Sequence, residues 1–167
     1  MAQQNQNQQD LREILQIRRD KLAALQEAGM NPFEITRYDV THHAQEVKDQ
    51  FDQLEGQTVS LAGRLMSKRG MGKAVFCDLQ DGKGRIQLYV RVDELGEEAF
   101  AKFKKTDIGD IVGVRGFVFV TKTGELSVHC KELKVLSKSL RPLPIVKEKD
   151  GQVYDAFSDP EQRYRQR

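Results

Sequence analysis

Two periodicities divide the chain. Up to Gly56 apolar residues recur every three to four positions, whereas from Thr58 to Lys138 they alternate with polar ones. Asp10 followed by Glu13 is a capping-box variant, Leu11, Ile14, Leu15, Leu22 and Leu25 fall at helical spacing, and Gly29 stands where the helix should end. The other side of this helix carries Arg12, Arg18, Arg19 and Lys21, the composition of a solvated face. After Pro32, Thr41 is placed to cap a second helix, with Ala44, Val47, Phe51 and Leu54 on its apolar side before Gly56. His42 and His43 fall in its first turn, where adjacent side chains diverge and no third ligand is near, so they read as surface residues rather than a metal pair.

The alternating region holds five strand candidates, 59–65, 73–79, 85–91, 111–120 and 126–136, with Leu95, Ala99, Phe100 and Phe103 marking a helix between the third and fourth. Five strands with a helix inserted after the third is the element order of the oligonucleotide-binding (OB) fold, a five-stranded Greek-key barrel in a mainly β, overall α+β, chain. Gly63, Gly113 and Gly116 are expected to permit the strand curvature of a small barrel. The domain reading is a disordered tail over 1–9, a helical extension over 10–56, the barrel over 57–138, and a linker with the start of another domain over 139–167.

One hairpin carries the functional inference. Asp81-Gly82 is a strong turn signal, and a two-residue loop there sets Asp78 opposite Arg85 and Phe76 opposite Gln87. Alternation sends Val75, Cys77, Leu79, Ile86, Leu88 and Val90 to the core and leaves Phe76, Asp78, Arg85, Gln87, Tyr89 and Arg91 outside. An aromatic ring beside a Gln amide suits an unstacked base: the ring offers a stacking face and the amide both a donor and an acceptor. Covering of Phe76 and Tyr89 by the chain's own helices or linker is the competing, purely structural reading. Before the hairpin, Lys68 to Lys73 read as a basic, glycine-containing loop at the ligand rim, and Glu125 follows a second turn at Lys122–Gly124. The first loop is not a P-loop, because GxxxxGK[ST] is absent.

Composition narrows the function. Net charge is only +2, so nucleic-acid binding rests on where charges lie rather than on their sum. No apolar run approaches the ~20 residues of a membrane span, and the Gln/Asn-rich start lacks the regions of a signal peptide, so a cytoplasmic location is expected. Cys77 and Cys130 are too far apart for a zinc motif and read as core thiols. Carboxylates are plentiful without a fixed pair, and His129 lies in a strand with no neighbouring nucleophile, so no catalytic residues are expected.

The segments AGRLMSKRGMGKAVFCDLQDGKGRIQLYV (62–90), TKTGELSVHCKEL (121–133), LSKSLRPLP (136–144) and EQRYRQR (161–167) closely resemble the anticodon-binding domain of bacterial-type class II lysyl-tRNA synthetases. The Phe-to-Gln spacing is shared with the aspartyl and asparaginyl enzymes, while the other segments point to lysine. The resemblance implies that Phe76 stacks on the central anticodon uridine and Gln87 reads its edge. It further implies that Lys68 and Arg69 contact the anticodon loop and that Glu125 reads a flanking base. Arg12, Arg19 and Lys73 are weaker candidates for tRNA backbone contacts. The implied partner is a lysine tRNA, with a homodimer as a further expectation. The large catalytic domain of the family, with its ATP and Mg2+ sites, is expected to lie beyond Arg167, leaving no cofactor for this chain and no charging activity of its own. The rival readings are a general single-strand-binding barrel and a protein-interaction or dimerisation module.

Overall fold

The computed structural model describes residues 2–143, 147–149 and 152–154. The alternating region closes into a barrel of β1 (Thr58–Met71), β2 (Ala74–Gln80), β3 (Arg85–Arg91), β4 (Ile111–Val120) and β5 (Leu126–Ser137), in the order β1-β2-β3-β5-β4. Every neighbouring pair is antiparallel except β3 with β5, which run parallel. This is the Greek-key closure expected of an OB barrel. The inward set predicted for the hairpin is buried, together with Val112, Val114, Val118, Val128 and Cys130. Both cysteines are free and buried; desolvation raises the Cys77 thiol to about 12 and Cys130 further, so both are protonated core groups at neutral pH.

Two expectations are corrected by the strands. The first strand does not stop at Leu65: β1 bends through an irregularity between Leu65 and Ser67 and continues to Met71, pairing first with β4 and then with β2. Lys68, Arg69 and Gly70 are therefore strand residues, and the turn shrinks to Gly72-Lys73, because pairing with β2 satisfies backbone groups that a loop would leave open. The hairpin turn is longer than two residues. Gln80 pairs with Arg85, so Asp81 to Gly84 form the loop, Phe76 lies opposite Tyr89, and Asp78 opposite Gln87. The shift is by two residues, an even number, so each side chain keeps its predicted face. Gly116 lies at an irregularity of β4, between Arg115 and Gly116, as curvature requires, and also serves close approach: a Cβ there would stand 2.0 Å from the His129 carbonyl oxygen.

Asp81 explains the longer turn. Its carboxylate accepts from the backbone N–H groups of Lys83 (2.8 Å) and Gly84 (2.9 Å), and its second oxygen accepts from Ala44 N at 2.7 Å. Ala44 opens α2 (Ala44–Asp49), which is followed by α3 (Phe51–Leu54); α4 (Val92–Leu95) and α5 (Glu97–Lys104) lie between β3 and β4. The N-cap of α2 is thus His43, not Thr41, with the Glu46 side chain accepting from His43 N. The Thr41 hydroxyl instead pairs with the backbone of Ser60. Burial alone raises the Asp81 pKa, but the three backbone donors and nearby His43 outweigh it and hold the carboxyl below its ordinary range.

The first helix, α1, runs from Ala2 to Glu27, so the expected tail over 2–9 is helical and Asp10 lies inside the helix rather than capping it. No Gly or Pro interrupts these residues, and Gln is a good helix former. The end is as predicted: Gly29 adopts φ +68°, with Met30 N donating to Leu25 O and Gly29 N to Gln26 O, the paired bonds of a Schellman ending. The inward face is only partly the predicted one. Leu15, Leu22 and Leu25 are half-buried, but Leu11 and Ile14 are exposed, and Arg18 is buried, its guanidinium donating to the carbonyls of Ile108, Ser139 and Arg141.

Beside it lies a buried ionic cluster. The Lys138 ammonium meets Asp107 at 2.5 Å and Asp110 at 2.6 Å, and Lys21 of α1 meets the other Asp107 oxygen at 2.5 Å. Burial raises the Asp107 pKa, but hydrogen bonds from Lys138 and Lys21 more than reverse this, leaving it lowered. Helix, barrel and the start of the linker are joined here. Farther along, Lys147–Lys149 and Gln152–Tyr154 form a two-stranded sheet, while 144–146, 150–151 and 155–167 of the predicted linker and domain start over 139–167 lie outside the described residues.

Two outcomes follow from these charges. Lys138→Met strands Asp110, whose side chain is 0% exposed, and is expected to cost about 3–5 kcal/mol in denaturant unfolding; a loss below about 1 kcal/mol would show that the cluster does not stabilise the fold. Asp81→Asn should cost about 1–3 kcal/mol at pH 7. Because the folded Asp81 pKa is depressed, its contribution is present above the unfolded value and is lost as pH falls through the folded one. The stability gap between parent and variant should therefore narrow below about pH 4. A gap that stays constant down to acid unfolding contradicts the role given to the carboxylate.

Candidate nucleic-acid interface

Strand pairing arranges the outer face of the barrel in rows. One row runs Arg69, Phe76, Tyr89, His129 and Phe117 across β1, β2, β3, β5 and β4. The adjacent row runs Ser67, Asp78, Gln87, Ser127 and Phe119 over the same strands. The first is aromatic and the second mainly polar.

In the aromatic row Phe76 and Tyr89 stack with centroids 4.7 Å apart at 28°, and His129 lies 5.1 Å from Tyr89 and 4.7 Å from Phe117. Phe119, in the next row, closes onto Tyr89 and His129 at 5.9 and 5.7 Å. Tyr89 takes one face of the Phe76 ring and fixes its plane. Phe76 and Tyr89 are only partly covered, so helices and linker do not bury them. His129 is almost fully buried, its Nε2 has no hydrogen-bond partner among the described residues, and desolvation lowers its pKa, favouring the neutral ring.

The polar row fixes its members by hydrogen bonds. Ser67 Oγ donates to Asp78, and Arg69 lies 3.8 Å from the other Asp78 oxygen while remaining 63% exposed, free to meet an anion as well. Ser127 Oγ donates to Gln87 Oε1 at 2.9 Å. Glu125 follows a closed turn in which Thr121 N donates to Glu125 O, and Glu125 N to Thr121 Oγ1. That turn leads directly into Ser127, so Glu125 sits at the rim next to the polar row.

The structure thus brings Arg69, Phe76 and Gln87 together, with Glu125 at their edge, but not Lys68. Lys68 pairs with inward-facing Cys77, and its ammonium donates to the carbonyls of Phe103, Lys104 and Thr106 at the C-terminal end of α5 (Glu97–Lys104). It also stands 4.6 Å from the Phe103 ring centre, and burial lowers its pKa. Its expected placement in a rim loop is therefore corrected: the extra strand length of β1 turns it to the opposite face, where a cation complements a helix C-terminus. Lys73 is exposed in the β1–β2 turn, and Arg12 and Arg19 are exposed on α1 without sharing a row with Phe76. Sequence reasoning missed Phe117, Phe119, His129 and Ser127. The alternation Phe117-Val118-Phe119 signalled an aromatic outer face on β4, but only the parallel β3–β5 pairing joins it to Tyr89.

Residues 59–136 match the tRNA_anti-codon model, an OB-fold nucleic acid binding domain. Over 160 residues the chain is 49% identical to a lysine–tRNA ligase of Porphyromonas gingivalis, a match covering 90% of this chain and 28% of that protein. It is 48% identical over 160 residues to one of Clostridium perfringens, covering 96% of this chain and 30% of the relative. The chain spans less than a third of the length of these relatives. Barrel, family match and relatives agree: residues 59–136 form an OB-fold nucleic acid binding domain of the tRNA_anti-codon family, and over 90–96% of its length the chain is similar to the corresponding part of lysine–tRNA ligases.

Proposed function

We propose that this barrel reads the U-rich anticodon of a lysine tRNA, with the central uridine stacked on Phe76 and its edge met by Gln87. The observation that carries the reading is the junction of the two rows: the stacked Phe76–Tyr89 pair lies one row from the Gln87 amide. A base lying on the ring then directs its edge along the sheet toward the amide. Stacking supplies affinity for any base, and the amide supplies choice. Arg69 meets the anticodon-loop backbone or a base beside Phe76, and Glu125 reads a flanking base from the β4–β5 turn. Lys73 is a further backbone contact, and Arg12 and Arg19 are phosphate contacts made by α1 with the tRNA stem. Lys68 acts indirectly, by holding α5 on the barrel.

In a longer ligase of this kind, the barrel selects the tRNA while segments outside this chain use ATP and Mg2+ to activate lysine and attach it. Work of this kind belongs in the cytoplasm, where tRNA is charged.

Binding of an anticodon stem-loop with UUU in its loop, against the same hairpin with UCU, tests the reading in the intact chain. The U-centred loop should bind more tightly, and Phe76→Ala should weaken it by about 1–3 kcal/mol, the worth of one stacked base. Equal binding of the two loops with no effect of Phe76→Ala would remove the anticodon reading and favour an interaction module.

A further inference from the structure

A base on Phe76 occupies only one end of the aromatic row. Each ring in that row touches the next, with centroids 4.7 Å apart for Phe76 and Tyr89, 5.1 Å for Tyr89 and His129, and 4.7 Å for His129 and Phe117. Phe117 pairs in turn with Thr58, so the row leaves β1 at Arg69 and returns to it at Thr58. From Arg69 to Phe117 it crosses β2, β3 and β5 to reach β4. At about 4.8 Å between strands, this is a path of about 19 Å along the sheet, longer than one base needs.

The far end of the path is charged. Arg115 pairs with Glu132 but Gly116 pairs with Cys130, so Lys131 is the extra residue of a bulge in β5. Strict alternation after Ser127 and His129 would send Lys131 outward and Glu132 inward; the bulge leaves both exposed. The Lys131 ammonium stands 5.5 Å from the Phe117 ring centre, and Thr58, Arg115, Lys131 and Glu132 line a hollow of about 230 Å³ immediately past that ring. Among the described residues Lys131 meets no carboxylate, and Arg115 meets only Glu132, at 3.9 Å with both side chains more than half exposed. An exposed pair of that length holds little energy and yields readily to another anion. Rings in line with cations at the end of the line match a single strand of nucleic acid, whose bases stack and whose backbone is anionic.

We propose that the bound loop strand follows the aromatic row from Phe76 to Phe117, and that Lys131 and Arg115 together hold one of its phosphates in the hollow beyond. This rests on the anticodon reading above and extends it from one base to a backbone path. The two cations fix where the strand lies and carry no sequence information, so their loss should weaken the U-centred and C-centred loops alike.

Binding of the UUU and UCU stem-loops is measured over a series of salt concentrations for the intact chain, Lys131→Gln, Lys131→Arg, Arg115→Gln and the double variant Lys131→Gln/Arg115→Gln. Lys134→Gln is the control: Lys134 is exposed on the same strand but lines the groove between α1 and α5, so the same charge is removed away from the row. One phosphate neutralised on a single strand contributes about 0.7 to the slope of log affinity against log salt, or about fivefold in affinity near ~0.1 M salt. Lys131→Gln should flatten the slope by about 0.7 and weaken both loops about fivefold, with the U-to-C ratio unchanged. Lys131→Arg and Lys134→Gln should keep the parent slope. Because the two cations share one phosphate, the double variant should lose less than the sum of the two single losses. A Lys131→Gln slope equal to the parent's, a loss no larger than that of Lys134→Gln, or an effect on one loop only overturns the proposal, and the anticodon reading stands as long as the parent prefers the U-centred loop. A parent without that preference overturns the reading and the proposal together.

Discussion

The Asp81 carboxylate sets the geometry on which the ligand face depends. By accepting from Lys83 N and Gly84 N it holds a four-residue turn, and by accepting from Ala44 N it ties that turn to α2. The turn fixes the β2–β3 register, which puts Phe76 against Tyr89 and Asp78 against Gln87. Parallel pairing of β3 with β5 then brings Ser127 to Gln87 and His129 to Tyr89. A different turn would move β2 against β3 and separate the ring from its backing partner, even with the core composition unchanged.

The resulting face is assembled from residues far apart in the chain. Phe76 and Gln87 are close in sequence, but the groups that hold their planes come from β3 for the ring and from β5 for the amide. Such preorganisation lowers the ordering cost of binding a flexible single-stranded loop. The opposite end of the barrel has a different chemistry: Lys138, Asp107, Asp110 and Lys21 form a buried ionic cluster that joins α1 and the linker to the barrel. The charge of Lys138 and Lys21 is taken up there by the fold, whereas Arg69 remains 63% exposed beside the aromatic row.

Much of this was legible in the sequence because side-chain parity is local. Alternation placed Phe76 and Gln87 on the outer face and Val75, Cys77 and Leu79 inside, and an error of two residues in the turn left that assignment unharmed. Lys68 was misassigned because β1 continues past its bend, which periodicity does not reveal, and that continuation sends its ammonium to the end of α5. Arg18 was misassigned for another reason: a guanidinium on a helix reads as solvated until the backbone carbonyls that accept from it are placed, and those of Ser139 and Arg141 lie over a hundred residues away. Ser127 carried no sequence signal at all, since its meaning arises from a non-local parallel pair.

The central claim is that RNA meets the two rows on the outer face, and amide and side-chain NMR of the labelled chain titrated with the UUU stem-loop tests it most directly. The account predicts the largest shifts at the Gln87 side-chain NH2, at Phe76 and Tyr89, and in the turn carrying Glu125. Shifts confined to α1 or to the end of α5 around Lys68, with the Gln87 amide unmoved, would contradict it.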